Sequence, residues 1–278
     1  MVCQNFDRGN LANITIDPLV IPFSKQMKIP VALGQICSKA NVTENLEIIG
    51  NLVRQASQKN CKMIFFPECS DFIEGEFTKN ITPELQKLTK ENNIWMSIGI
   101  HTLTFHNTKF RNRQLILNNH GEEIDHYDKI HLFELLKESD KFEAGNLLKV
   151  VDTPLGYMGL GICYDLRFPK FAWKLKELGA NVLTFPSAFT MRTGVHFESL
   201  LVARAIETQC YVIGAAQFGK HGEKRESFGN SLIVDPWGTI LARGTEAPEL
   251  ITADIDMPLL EDIRANMPVL EHQRQDIY

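Results

Sequence analysis

The chain has 278 residues, 44% of them hydrophobic, and a formal net charge of -5. That is apolar material for one large core, without the basic clusters of a nucleic-acid binder or the roughly 20-residue apolar run that crosses a bilayer. The six cysteines (Cys3, Cys37, Cys61, Cys69, Cys163 and Cys210) are scattered and lack metal-site or disulfide-scaffold spacing, which points to a reducing, cytoplasmic setting and to no structural zinc.

Residues 1–28 contain Asp7, Asp17 and few basic residues, poor material for a secretory or mitochondrial leader, and are expected to form an arm before a single domain over 29–278. Residues 29–36 read as a strand. Residues 41–56 read as a helix with Leu46, Ile49, Val53 and Ala56 on one face and Asn41 and Glu44 as a capping pair. A buried strand over 62–66, a helix over 83–90 and a strand over 94–100 follow, and residues 113–118 and 122–127 flank Asn118-Asn119-His120-Gly121 as a hairpin. In the second half, strands are expected over 156–163, 181–185, 211–216, 231–234, 239–242 and 250–255, with helices over 168–178, 196–209 and about 258–266. The class is α/β, and strands with interleaved helices in both halves favour two sheets, each covered by helices on its outer face. The triplets at Asn13, Asn41 and Asn80 match a glycosylation pattern by chance, and Trp237 is expected to cap the core from a turn over 235–238.

Three reactive side chains stand just beyond apolar runs, where α/β proteins build their sites. Glu68 follows Met63-Ile64-Phe65-Phe66-Pro67, and desolvation there is expected to raise its pKa and strengthen it as a base. Lys129, within His126-Tyr127-Asp128-Lys129-Ile130-His131, is a cation able to stabilise an oxyanion and to lower the pKa of a nearby thiol. Cys163 ends the run Gly156-Tyr157-Met158-Gly159-Leu160-Gly161-Ile162 and precedes a helix, so its thiol would meet free N–H groups that favour thiolate. Taken singly, each has an ordinary explanation: a buried thiol, a surface carboxylate, a solvated lysine. Glu138 lies in a charge run, 137–143, of the kind a solvated face carries. His131 or His196 as an imidazole partner for Cys163 remains open at this level, and a capping or packing role explains His196 equally well.

Taken together, Phe66-Pro67-Glu68, Tyr127-Asp128-Lys129-Ile130-His131-Leu132-Phe133 and Gly161-Ile162-Cys163-Tyr164-Asp165-Leu166-Arg167-Phe168-Pro169 resemble the nitrilase superfamily of carbon-nitrogen hydrolases over about 29–278. The resemblance implies a four-layer αββα sandwich in a single domain and a Glu-Lys-Cys triad: Glu68 as general base, Lys129 as oxyanion stabiliser, Cys163 as nucleophile through a thioester. It further implies that the Tyr164 backbone N–H completes the oxyanion hole, that Glu138 helps to position substrate, that neither metal nor organic cofactor is required, and that the chain pairs into a homodimer or larger assembly. Within the superfamily, residues 184–189, 203–211 and 235–238 are similar to the Nit branch, and residues 216–231 resemble its deaminated glutathione amidases, which yield 2-oxoglutarate and cysteinylglycine.

On that resemblance Lys224 or Arg225 is expected to meet a carboxylate of a small amide substrate. Departures from the family pattern fall in a short loop over 71–81, before His196, and at Lys170 in place of a glutamate. The alternatives are an ω-amidase acting on 2-oxoglutaramate, a nitrilase or carbamoylase on the same fold and, in a different class, a non-catalytic interaction protein.

Overall fold

A computed structural model describes residues 28–73, 79–104, 109–274 and 276–277; the expected arm over 1–28 falls almost wholly outside the described residues. The first apolar run forms β1 (Ile29–Gln35), whose Val31 and Leu33 enter one buried cluster while Ala32 enters another. β2 (Met63–Phe65) divides in the same way, Met63 and Phe65 to one side and Ile64 to the other. Both faces are covered, so these strands read as continuous apolar runs and not as alternating ones.

Between them runs α1 (Val42–Gln58), with Ile49, Val53 and Ala56 buried against the sheet. The Asn41 side-chain oxygen accepts from the Thr43 N–H at 3.0 Å and from the Glu44 N–H, and the Asn41 amide donates to Glu44 at 2.7 Å. The expected capping pair is therefore present, although Glu44 reaches the Asn41 side chain, and not its backbone N–H as in the usual capping box. α2 (Thr82–Asn92) packs beside α1, and an Asn80 side chain bonded to the Thr82 N–H at 3.0 Å precedes it. β3 (Trp95–Leu103), β4 (Phe110–Leu117) and β5 (Glu123–Asp128) form a meander, closed between β4 and β5 by the expected hairpin with Gly121 at φ +82°.

The second half contributes β6 (Lys149–Thr153), β7 (Gly156–Leu160), α4 (Pro169–Glu177), β8 (Val182–Thr184), α5 (Val195–Thr208) and β9 (Tyr211–Gly214), after a one-turn α3 (Glu138–Lys141). A ribbon of β10 (Phe218–Lys220) and β11 (Glu226–Phe228), then β12 (Leu232–Val234), β13 (Ile240–Arg243), β14 (Glu249–Ile255) and α6 (Met257–Asn266) complete the described chain. Two six-stranded sheets result, ordered β14-β1-β2-β3-β4-β5 and β13-β12-β9-β8-β7-β6. Val31, Phe65 and Ile116 of the first share a cluster with Met158, Val182 and Val212 of the second, while α1 and α2 cover one outer face and α4 and α5 the other. This is the expected αββα order.

The structure adds β6 and the β10-β11 ribbon, which are too short and too polar to carry a period-2 signal, and sends β14 across to pair antiparallel with β1. It also corrects the reading of Trp237. The turn is there, with the Asp235 carboxylate accepting from the Trp237 and Thr239 N–H groups and Gly238 at φ +92°, but the indole is 60% exposed beside α6 instead of capping the core.

The arrangement brings particular strand ends together. β1, β2 and β3 are parallel, and two antiparallel steps return β5 to the direction of β3, so Glu68 after β2 and Lys129 after β5 leave the sheet at one edge. Cys163 follows β7, which runs parallel to β8 and β9 in the facing sheet.

Candidate active site

Glu68 is buried, 1% exposed, and its Oε1 accepts from the Lys129 ammonium at 2.8 Å and from the Asn112 amide at 2.7 Å. Its backbone is seated as firmly. The Gln217 amide donates to the Glu68 and Cys69 carbonyls at 3.0 and 3.2 Å, and the Gly99 N–H donates to the Pro67 carbonyl at 3.1 Å. A Cβ at Gly99 would stand 2.6 Å from Glu68 Cα, so only glycine lets β3 pass this close beneath the carboxylate.

Lys129, equally buried, lies between two carboxylates: besides Glu68, it meets Glu138 Oε1 at 3.0 Å and Oε2 at 2.9 Å. Glu138 itself accepts from the Phe133 N–H at 2.9 Å, which turns it inward from α3. The charge run over 137–143 is thus a solvated face with one member folded in. Gly145 allows the return of the chain, since a Cβ there would meet the Asp128 carbonyl at 2.1 Å.

Cys163 opens a 3-10 turn (Cys163–Arg167) with φ +46°, a left-handed conformation that is strained for a side chain bearing a Cβ. Its N–H is held by the Pro186 carbonyl at 3.0 Å, whereas the next N–H, of Tyr164, has no hydrogen-bond partner among the described residues. Asp165 fastens this elbow to the Lys129 loop. It accepts from the Ile162 N–H at 2.9 Å, the Tyr127 hydroxyl at 2.7 Å and the His131 N–H at 3.1 Å, and its carboxylate lies 2.7 Å from His131 Nδ1. Burial and the Asp165 charge push the Tyr127 phenol upward in pKa, which keeps it a donor.

The electrostatics reverse two expectations. Burial does raise the Glu68 pKa, but the Lys129 ammonium in direct contact outweighs it, helped by Arg225 and by a hydrogen bond from Cys163, and the carboxyl lies below its ordinary 4.5. Cys163 moves the other way: burial first, then the Glu68 charge, lift its thiol well above 9.0 despite Lys129. The resting pair is therefore a neutral thiol facing a carboxylate, and not a preformed thiolate. Lys129 stays charged: burial opposes this, but the Glu68 carboxylate first, with Glu138 beside it, lifts the ammonium well above its ordinary value. Glu138 is raised by burial and by the nearness of Glu68, with Lys129 opposing.

The thiol opens into a cleft lined by Glu68, Phe133, Glu138, Tyr164, Arg167, Phe189, Thr193 and Arg225. Arg225 is largely sunk into this wall. Its Nε is buried without a partner and it makes no salt bridge among the described residues, so the guanidinium is available to a ligand. Lys224 is exposed and does not line the cleft, so the structure separates two neighbours that the sequence leaves equivalent. Neither histidine acts as a third member. His131 is bound to Asp165 and stacked on Phe168 at 3.7 Å, and exposed His196 lies 3.2 Å from Arg167 Nη1. The sequence reading assigned no role to Asn112, Gln217 or Asp165, although the last two stand within its motifs; Asn112 is a buried polar residue in the polar first half of β4.

The chain belongs to the carbon-nitrogen hydrolase family, whose profile matches residues 30–265. It is 42% identical to the nitrilase and fragile histidine triad fusion protein NitFhit of Drosophila melanogaster over 97% of this chain, and it spans 65% of that protein. It is 39% identical to the deaminated glutathione amidase of Mus musculus, covering 94% of this chain and 88% of the relative. The crystal structure of the C. elegans NitFhit protein superposes with a TM-score of 0.87 at 38% identity, covering 91% of this chain and 66% of that one.

Proposed function

We propose that this chain is an amidase that cleaves deaminated glutathione into 2-oxoglutarate and cysteinylglycine through a Cys163 thioester. The observation that carries the reading is the contact set Cys163–Glu68–Lys129 at three strand ends: a thiol and a base that line one cleft, and a buried cation held against the base. The similarity to the mouse amidase supports the substrate. Residues 29–278 are taken as the hydrolase domain, the location as cytoplasmic, and the assembly as a homodimer or larger. The family match over residues 30–265 supports the first reading, and the free thiols among the described cysteines support the second.

In this mechanism Glu68 takes the thiol proton as Sγ attacks the amide carbon, because a thiol held above 9.0 needs a base at the moment of attack. The oxyanion is met by the Lys129 ammonium and the Tyr164 N–H. Glu68 then passes the proton to the amide nitrogen, the C–N bond breaks and the amine departs, leaving the thioester. A water loses a proton to Glu68 as its oxygen attacks the thioester; collapse returns that proton to sulfur and frees the acid. Glu138 holds Lys129 in place, and Arg225 meets a substrate carboxylate.

Purified protein incubated with deaminated glutathione is expected to release 2-oxoglutarate and cysteinylglycine, with Cys163→Ala inactive. Release of ammonia from 2-oxoglutaramate without cleavage of deaminated glutathione would replace this assignment by an ω-amidase.

A further inference from the structure

Beside the nucleophile cleft lies a second, larger chamber, about 1420 Å³ of empty space open to solvent. The two communicate where Leu136, Glu138 and Arg225 line both. The chamber has an apolar lining that includes Phe72, Leu103, Phe110 and Phe142. It is cationic as well: Lys137 and Lys141 border it without a salt bridge among the described residues and Arg225 stands at its mouth, while the His101 ring in its wall is paired with the Asp71 carboxylate at 2.8 Å and adds no net charge. Burial opposes the charging of His101, but Asp71 and Cys69 overcome it and lift the imidazole well above its ordinary value. Among the described residues the one carboxylate lining the chamber, that of Glu138, is bound to Lys129.

The chamber also has a definite position relative to the chemistry. Its wall includes Asn112, which donates to Glu68 Oε1 at 2.7 Å, and Cys69, the next residue in the chain after Glu68. Tyr164, Arg167, Phe189 and Thr193 line only the cleft, as does Glu68, whose carboxylate adjoins the chamber through Asn112 and Cys69. Cleavage of an amide requires the departing nitrogen to take its proton from Glu68, so the amine portion leaves on the Glu68 side and the acyl portion on the Tyr164 side.

We infer that the chamber is the subsite for the amine half of the amide, built for a short peptide-like amine that ends in a carboxylate, with its apolar walls on the amine's side chain and its cations on the terminus. The inference rests on the amidase reading above. It assigns the choice between a large and a small leaving group to this chamber, since 2-oxoglutaramate and deaminated glutathione share one acyl group and differ only in the amine.

The test compares kcat/KM for those two amides in wild type, Leu103→Trp, which fills the chamber from a side chain that is 43% exposed, and Lys137→Gln/Lys141→Gln. The ratio favouring deaminated glutathione is expected to fall roughly tenfold in Leu103→Trp, the size of one lost anchoring contact, and severalfold in the lysine pair. Calorimetric binding of cysteinylglycine to Cys163→Ala, with and without Leu103→Trp, reads the chamber without turnover and is expected to weaken about tenfold. An equal loss on both amides, an unchanged ratio, or dipeptide binding insensitive to Leu103→Trp would overturn the assignment. If wild type hydrolyses neither amide, the amidase reading falls, while dipeptide binding still decides the chamber.

Discussion

At Cys163 burial and the facing Glu68 carboxylate hold the proton on sulfur, and Lys129, with a hydrogen bond from the Ala188 backbone, works against them. The same lysine depresses Glu68, so the two groups are driven apart in pKa and the proton moves only as the carbon–sulfur bond forms. Alkylation of Cys163 by iodoacetamide is therefore expected to rise with a midpoint above pH 9.0, followed by peptide mass spectrometry; a midpoint below pH 8 would mean a preformed thiolate. A depressed carboxyl stays ionised as pH falls until its own lowered pKa is reached. The acid limb of kcat/KM attributable to Glu68 is thus expected below pH 4.5, measured on protein shown by circular dichroism to remain folded. Lys129→Met leaves Glu68 and Glu138 buried without their shared cation. Its kcat is expected to fall by about two to three orders of magnitude from loss of oxyanion stabilisation. Its stability is expected to fall by about 3–5 kcal/mol unless one carboxylate takes up a proton, and denaturant unfolding at pH 5 and pH 8 separates the two cases. Glu68 and Cys163 were legible in the sequence because each follows an apolar run, whereas Lys129, after the mostly polar β5, stood out through the motif around it. Their pKa directions were not, because a shift depends on which charges the fold brings within hydrogen-bond reach of one another.

Among elements, the site is a junction of strand ends whose spacing is set by residues that take no part in the chemistry. Gly99 in β3 lies directly against the Glu68 backbone, where an added Cβ would clash at 2.6 Å. Gly99→Ala is expected to cost about 1–3 kcal/mol by overpacking and to displace Glu68. Activity should fall further than the lost folded fraction explains, as checked by kcat/KM and thermal unfolding on the same preparation. Asp165 does the corresponding work in the second half, joining the Cys163 elbow to the Tyr127 hydroxyl and the His131 loop. Helix faces such as Ile49, Val53 and Ala56 of α1 could be read from their 3.6-residue period, and the β4-β5 hairpin from its turn. β6, β10 and β11 could not, being three to five residues long and partly polar.

For the whole molecule, two sheets share one core, and the outer face of the second sheet carries α5 with Val195 67% and Ile206 49% exposed, Ile206 lying against Gly238 next to the exposed Trp237. Such exposed apolar side chains on a helical layer support the proposed homodimer. Sedimentation equilibrium is expected to return about twice the 31.6 kDa chain mass, and Val195→Asp/Ile206→Asp to shift it toward the monomer; a wild-type monomer at micromolar concentration would end that reading. By itself the sequence determined the α/β class and the order of most elements, since periodicity is a local property of a chain, and it brought Glu68, Lys129 and Cys163 forward as candidates through the motifs they share with one family. Only the tertiary structure decided that β14 returns to pair with β1, that Arg225 and not Lys224 faces the cleft, that Glu138 leaves its charge run for Lys129, and that the thiol rests protonated. Each of these depends on groups far apart in sequence meeting in a desolvated space, where proximity and burial set both the pairing and the charge.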